Sequence, residues 1–170
     1  MKSDRIARLT VAMVVYDAGD ARRIQHFLKV HAWAAAIGRV EGMDEETLDV
    51  LEAAAILHDI GIHKAEQLHG STDGKWQELL GPPEALMLMK QVGGFSEEEM
   101  ERIAFLIAHH HTYDDIRGLD YQILVEADFL VNLYEDGASK DAVKRAGERI
   151  FHTETGRRML REMFDTKGQE

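Results

Sequence analysis

Nine histidines and no cysteine frame the chemistry open to this 170-residue chain. Without thiols there is no disulfide framework, thiolate nucleophile, zinc ribbon or iron–sulfur cluster, so a tightly held metal must sit on His, Asp or Glu. The pair His58-Asp59 ends the apolar run Ala53-Ala54-Ala55-Ile56-Leu57. Two ionisable side chains at the end of a buried helix cost desolvation energy unless something offsets it. A divalent cation offsets both, because neutral imidazole and carboxylate are its natural ligands. The competing reading makes His58 a helix C-cap and Asp59 a turn residue beside Gly61. Asp128 interrupts the apolar segment 123–131, where an unpaired carboxylate is expensive to bury; Glu126, two positions earlier, points elsewhere. With His31, from the middle of another apolar helix, these residues make a two-His, two-Asp set drawn from three helices.

The elements that must position this set read as helices throughout. Pro82 and Pro83 are the only prolines, and no run alternates apolar with polar residues long enough for a sheet, which predicts an all-α fold. A first helix covers about residues 3–17. Asp20 caps a second, to about Val40, with the stripe Ile24, Phe27, Leu28, Ala32, Ala35 and Ala36 beside His31. Asp44 caps a third, to about Asp59. Residues 61–82 read as a long irregular loop, the kind that often serves as a lid, and Pro83 suits the first turn of a helix to about Val92. Ser96-Glu97-Glu98-Glu99 is a capping box opening a helix that runs into His109-His110-His111. Asp120 caps a helix to about Tyr134, another starts at Ser139, and a short one follows Thr155. One domain over 1–170 is expected, with helices 139–166 packed on the region that carries the His and Asp residues.

The ordered set His31, then His58-Asp59 within Leu57-His58-Asp59-Ile60-Gly61, then Asp128 within Glu126-Ala127-Asp128, resembles the HD superfamily of metal-dependent phosphohydrolases over about residues 24–135. The resemblance implies a compact helical domain with a metal site in the bundle core, and a hydrolase in which Asp59 is the central ligand. It also implies further ligands for a second metal: His109 and His110 match one position. Where the other His is expected the chain has Gly81-Pro82-Pro83-Glu84-Ala85, so Glu84 replaces it, His69 folds in from the loop, or the site holds one ion. Mn, Fe, Ni, Mg and Zn are all compatible ions. Of the remaining histidines, His26 and His152 read as structural or surface residues, His111 as further from a ligand role than its neighbours, and His63 as a group near the site or a loop residue.

The resemblance implies attack of a metal-activated water on a phosphomonoester or phosphodiester, with Asp59 at the centre and His110 binding a second metal or protonating the leaving oxygen. Lys29, Arg39 and Lys64 are the candidates for the non-bridging oxygens, and Lys64 also stands close to the catalytic pair. A di-iron oxidase or oxygenase of the same fold, and a non-catalytic nucleotide-binding signalling module, are the alternative readings.

Length and composition bound the rest. With 45% apolar residues, a chain this size buries roughly 70% of its unfolded surface and forms a true core. The net charge of −11 argues against a nucleic-acid surface, which needs a basic stripe. Residues 1–39 nevertheless carry seven basic side chains against three acidic ones, net +4, which leaves −15 for the remainder. A small anionic ligand, a phosphorylated metabolite or nucleotide, therefore meets a locally positive wall. No stretch has the ~20 apolar residues of a membrane span and the charged N-terminus lacks a signal-peptide core, so a cytoplasmic location without a membrane partner is expected. The oligomeric state is left open, with a homodimer among the options.

Overall fold

The computed structural model of the protein describes residues 2–166, so the ends of the 1–170 span lie outside the described residues. Among them are nine helices and no strand: α1 (Lys2–Tyr16), α2 (Ala21–Val40), α3 (Glu45–Leu57), α4 (Ile62–His69), α5 (Gly74–Val92), α6 (Glu97–His109), α7 (Leu119–Glu135), α8 (Lys140–Arg149) and α9 (Glu154–Phe164). Three of the expected caps form where the short polar residues stand, whereas Asp120, expected to cap α7, lies inside its first turn and pairs with Arg102, the N-cap being Gly118 with no side-chain bond. Asp20 accepts from the Arg23 amide, Asp44 from the Glu46 and Thr47 amides, and Ser96 and Glu99 close a reciprocal capping box, satisfying amides that a helix start leaves open.

Helix α3 is the centre of the packing. Leu48 and every residue from Val50 to Leu57 are buried, as expected of a helix apolar on all sides, and α3 packs against α1, α2, α6 and α7. Its C-terminal end therefore lies inside the bundle, and the chain leaves it through the turn 58–61, held by the Ile60 amide on the Leu57 carbonyl and the Ile62 amide on the Asp59 carbonyl. Helices α5 and α6 pair beside it, and α8 and α9 pair with each other, α9 reaching α2 and α7.

The segment expected as a loop over 61–82 is instead α4 and the first half of α5, and the proline pair expected to open a helix lies in its interior. Each interior proline costs roughly 3 kcal/mol in lost hydrogen bonding and ring clash. Packing offsets it: Gly81, Ala85, Leu88 and Met89 are buried, and Gly81 lies so close to α6 that a Cβ there would stand 2.8 Å from Ile107 Cγ2. Gly61 approaches as closely on the other side, where a Cβ would meet the Gly81 amide nitrogen at 2.7 Å. These two glycines bring the His58-Asp59 turn, α5 and the end of α6 together. No helix among the described residues is long and apolar enough to cross a membrane.

Candidate metal centre

His58 caps α3, and its Nδ1–H donates to the Ala55 carbonyl at 2.7 Å. The cap and metal readings of this residue are thus compatible, because the proton spent on Nδ1 leaves a lone pair on Nε2. Two other rings are oriented in the same way. His110, just past the last turn of α6, donates its Nδ1–H to the Ile107 carbonyl at 2.7 Å, and His26 of α2 donates its own to Glu135 Oε1 at 2.7 Å. A carbonyl or carboxylate only accepts, so all three neutral imidazoles present Nε2 as an acceptor.

These nitrogens converge with two carboxylates. His26 Nε2 stands 3.2 Å from His58 Nε2, 3.3 Å from Asp59 Oδ2 and 3.2 Å from Asp128 Oδ1. His58 Nε2 lies 3.3 Å and 3.4 Å from the same two oxygens. Ligands bonded at about 2.0–2.1 Å to one ion stand roughly 2.8–3.0 Å apart in octahedral and roughly 3.3–3.4 Å apart in tetrahedral geometry, and the observed spacings fall toward the upper end. His110 Nε2, buried with no hydrogen-bond partner, faces the other oxygen of Asp59, Oδ1, at 3.4 Å. His111 joins this second group with Asp59 and His110. Its Nε2–H donates to Gln77 Oε1 at 3.0 Å, which puts its lone pair on Nδ1. The two groups share Asp59, and their donor set of imidazole and carboxylate fits a divalent first-row cation.

The electrostatics point the same way. Burial pushes the His58 imidazolium down, but Asp59 and Asp128 outweigh it and hold the ring well above the usual histidine range. His26 is raised by the same carboxylates against burial and its neighbour His58. Burial raises Asp59 and Asp128, and the facing histidines more than reverse this, holding both carboxyls well below the carboxylate range. Acceptors packed this closely demand positive charge between them, supplied by protons or by a metal. His111 is different: burial, reinforced by His110, lowers it to about 4, which keeps the ring neutral and fit to be a ligand.

Surrounding side chains hold the donors. Asn132, one turn after Asp128, donates its amide to Asp128 Oδ1 at 3.0 Å. Glu78 accepts from the His111 amide and the Thr112 hydroxyl, both at 2.9 Å, so α5 fixes the turn that carries His110 and His111. Asp59 keeps 20% of its side-chain exposure, which opens the centre to a cavity of about 470 Å³ whose walls include Arg22, Arg23, Asn132 and Glu135.

Several residues expected in the site stand elsewhere. His31 is five residues from His26, about 500° around the helix and so on another face; its Nε2 pairs with Glu52 at 2.8 Å. His26, expected to be structural, occupies the place expected for His31. Arg39 caps the same Glu52 at 3.0 Å. His109 turns its Nδ1–H back to the Phe105 carbonyl at 2.7 Å and stacks on the Phe105 ring, leaving His110 and His111 to face Asp59. Glu84 is held by Lys64 and by the Tyr16 hydroxyl in a separate recess, which removes it from the centre and occupies the Lys64 ammonium. Lys29 sits 3.4 Å from Glu135, and Arg22 and Arg23 line the cavity in its stead. His63 lies 3.3 Å from Asp17, and His69 stacks on Trp76. Glu126 does point elsewhere: fully buried, it accepts from the His152 and Thr153 amides and the Thr153 hydroxyl, tying α9 to α7.

The sequence signal for His26 was present but ambiguous. His26, Val30, Ala34 and Ile37 fall on the buried stripe of α2, yet Ala32, Ala35 and Ala36 carry small apolar side chains onto the other side of that helix and blur the stripe. His111 and Gln77 carried no distinguishing signal, because their meeting depends on how α5 packs beside α6.

Among curated proteins no match to the chain is found. Among solved structures the chain is similar to the 1.45 Å crystal structure of a predicted HD superfamily hydrolase from an uncultured Thermotogales bacterium, with 28% identity and a TM-score of 0.63 over 96% of this chain and 84% of that one. The HD domain family model matches residues 23–145, which spans α2 to α8 and every donor of the centre. On that match, over more than half of its length, the chain belongs to the HD domain family.

Proposed function

We propose that the protein is a metal-dependent phosphohydrolase acting on a small phosphorylated substrate. The observation that carries this reading is the meeting of the His26, His58 and His110 Nε2 lone pairs with the Asp59 and Asp128 carboxylates beside a cavity that also holds two arginines. The similarity to a predicted HD superfamily hydrolase supports the hydrolytic class. A divalent cation held there supplies Lewis acidity, bringing the pKa of water from about 15.7 to as low as ~7 and offsetting charge on a phosphoryl group.

The chain's own residues divide the remaining tasks. Asp59 serves both donor groups, with Oδ2 toward His26 and His58 and Oδ1 toward His110, an arrangement that suits two ions better than one. Ala55, Ile107 and Glu135 keep the Nδ1 protons in place and so keep Nε2 an acceptor. Arg23 is tied to Asp20 and Glu66, whereas Arg22 has no ion-pair partner among the described residues and is free to meet phosphoryl oxygens. Protein stripped of metal and reloaded with Mn²⁺, Fe²⁺, Ni²⁺ or Mg²⁺ is expected to hydrolyse p-nitrophenyl phosphate or its diester. Asp59→Ala is expected to lower kcat/KM by about 10³-fold or more with an unchanged helical spectrum; equal activity in that variant overturns the reading.

A further inference from the structure

The lining of the metal cavity is unusual for a nucleotide pocket. Among the described residues that line it, Ile62 is the one aliphatic side chain and the only rings are the histidines of the centre. Ligand pockets are ordinarily lined mostly by apolar and aromatic groups, and nucleobases are gripped by stacking on aromatic or guanidinium faces; of the two guanidiniums here, Arg23 is tied to Asp20 and Glu66 and Arg22 is the group left for the phosphate. Here polar and acidic groups dominate. Five carboxylates (Asp20, Asp59, Asp128, Glu135 and Asp136) stand against two arginines. With two divalent ions bound the lining comes to about net +1, enough to attract one phosphomonoester dianion and too little for the roughly four charges of a nucleoside triphosphate.

The groups left over suit hydroxyls. Asn132 donates one amide proton to Asp128 and keeps the other, with its Oδ1 acceptor, for a ligand. Asp136, exposed at the C-terminal end of α7, has no ion-pair partner among the described residues. Thr72 adds a hydroxyl from the α4–α5 connection. A volume of about 470 Å³ is at the small-metabolite end of ligand pockets.

Resting on the phosphohydrolase reading, we propose that this cavity selects small polyhydroxylated phosphomonoesters, sugar or polyol phosphates, over nucleotides. In their hydrolysis the oxygen of water bonds to phosphorus, the ester P–O bond breaks, and a proton from water ends on the leaving alkoxide, giving a free polyol and inorganic phosphate. Asp136, Asn132 and Thr72 meet the hydroxyls of the leaving group, and Arg22 meets the phosphate.

Calorimetric titration of the Mn²⁺-loaded full chain with glycerol 3-phosphate, glucose 6-phosphate, AMP and ATP ranks affinities without requiring turnover. The expected result is a Kd for the better polyol ester about tenfold or more below that for AMP, with ATP weaker still. Asp136→Asn and, separately, Thr72→Val are expected to narrow that preference about threefold to fivefold. AMP or ATP binding as tightly as both polyol esters overturns the inference, as does a preference that neither variant changes. Turnover of p-nitrophenyl phosphate in the same preparation judges the phosphohydrolase reading separately.

Discussion

His26 and His31 stand five residues apart on α2 and have different partners. The first faces His58, Asp59 and Asp128, the second Glu52. Chain spacing alone favoured His31, since it sits nearer the middle of an apolar helix; rotation about the helix axis decides for His26. His26→Ala is expected to weaken divalent metal binding by about 100-fold or more, while His31→Ala changes it by less than about threefold. Calorimetric titration with Mn²⁺ checks both, and a larger loss in His31→Ala contradicts the assignment. His58, Asp59 and Asp128 were legible in the sequence because each breaks an apolar run, where the cost of burial has to be met. Arg22 was not, because an exposed arginine at the start of a helix carries no such signal.

Among elements, α5 holds the second donor group in place through Gln77 and Glu78 and was the least legible. Local rules place a break at Pro82-Pro83, and tertiary packing overrides them: the glycine contacts described above pull α5 against both the 58–61 turn and α6. Gly61→Ala is therefore expected to destabilise the fold by about 1–3 kcal/mol through overpacking against the backbone of α5, read by urea denaturation. Gly74, the first residue of α5, shows the same dependence, since a Cβ there would stand 2.8 Å from the His111 ring. The start of α9 is held by two carboxylates, Glu41 on the Thr155 amide and Glu126 on the two residues that precede the helix. Glu126 is fully buried and accepts three hydrogen bonds from His152 and Thr153, so Glu126→Ala strands those donors. A loss of about 1–3 kcal/mol is expected, with the denaturation midpoint as the measure. The caps at Asp20, Asp44 and Ser96 were legible because a cap is a contact within one turn.

At the scale of the whole molecule, the charge of −11 includes the two carboxylates at the centre of the bundle, and their protonation links the site to stability. Burial pushes the His26 and His58 imidazoliums down and the facing carboxylates outweigh it, so in the metal-free protein both hold protons more tightly than in the unfolded chain. The stability this provides is complete below the ordinary histidine value of about 6.5 and is lost as pH rises through the raised values. Asp59 and Asp128, held low by those histidines against burial, contribute stability that is present above the ordinary carboxylate value of about 4 and is lost as pH falls through the lowered ones. Metal binding needs the same nitrogens unprotonated, so the rise in Tm on adding Mn²⁺ is expected to grow from pH 5 to pH 9. Thermal melts with Mn²⁺ and with EDTA check this; a shrinking rise contradicts it. The most direct test of the centre itself is the number of divalent ions bound per chain, measured by elemental analysis after reconstitution and buffer exchange. Two ions per chain are predicted for the native protein and none for a folded Asp59→Ala variant, because that carboxylate serves both donor groups; equal metal content in the two proteins would contradict the account.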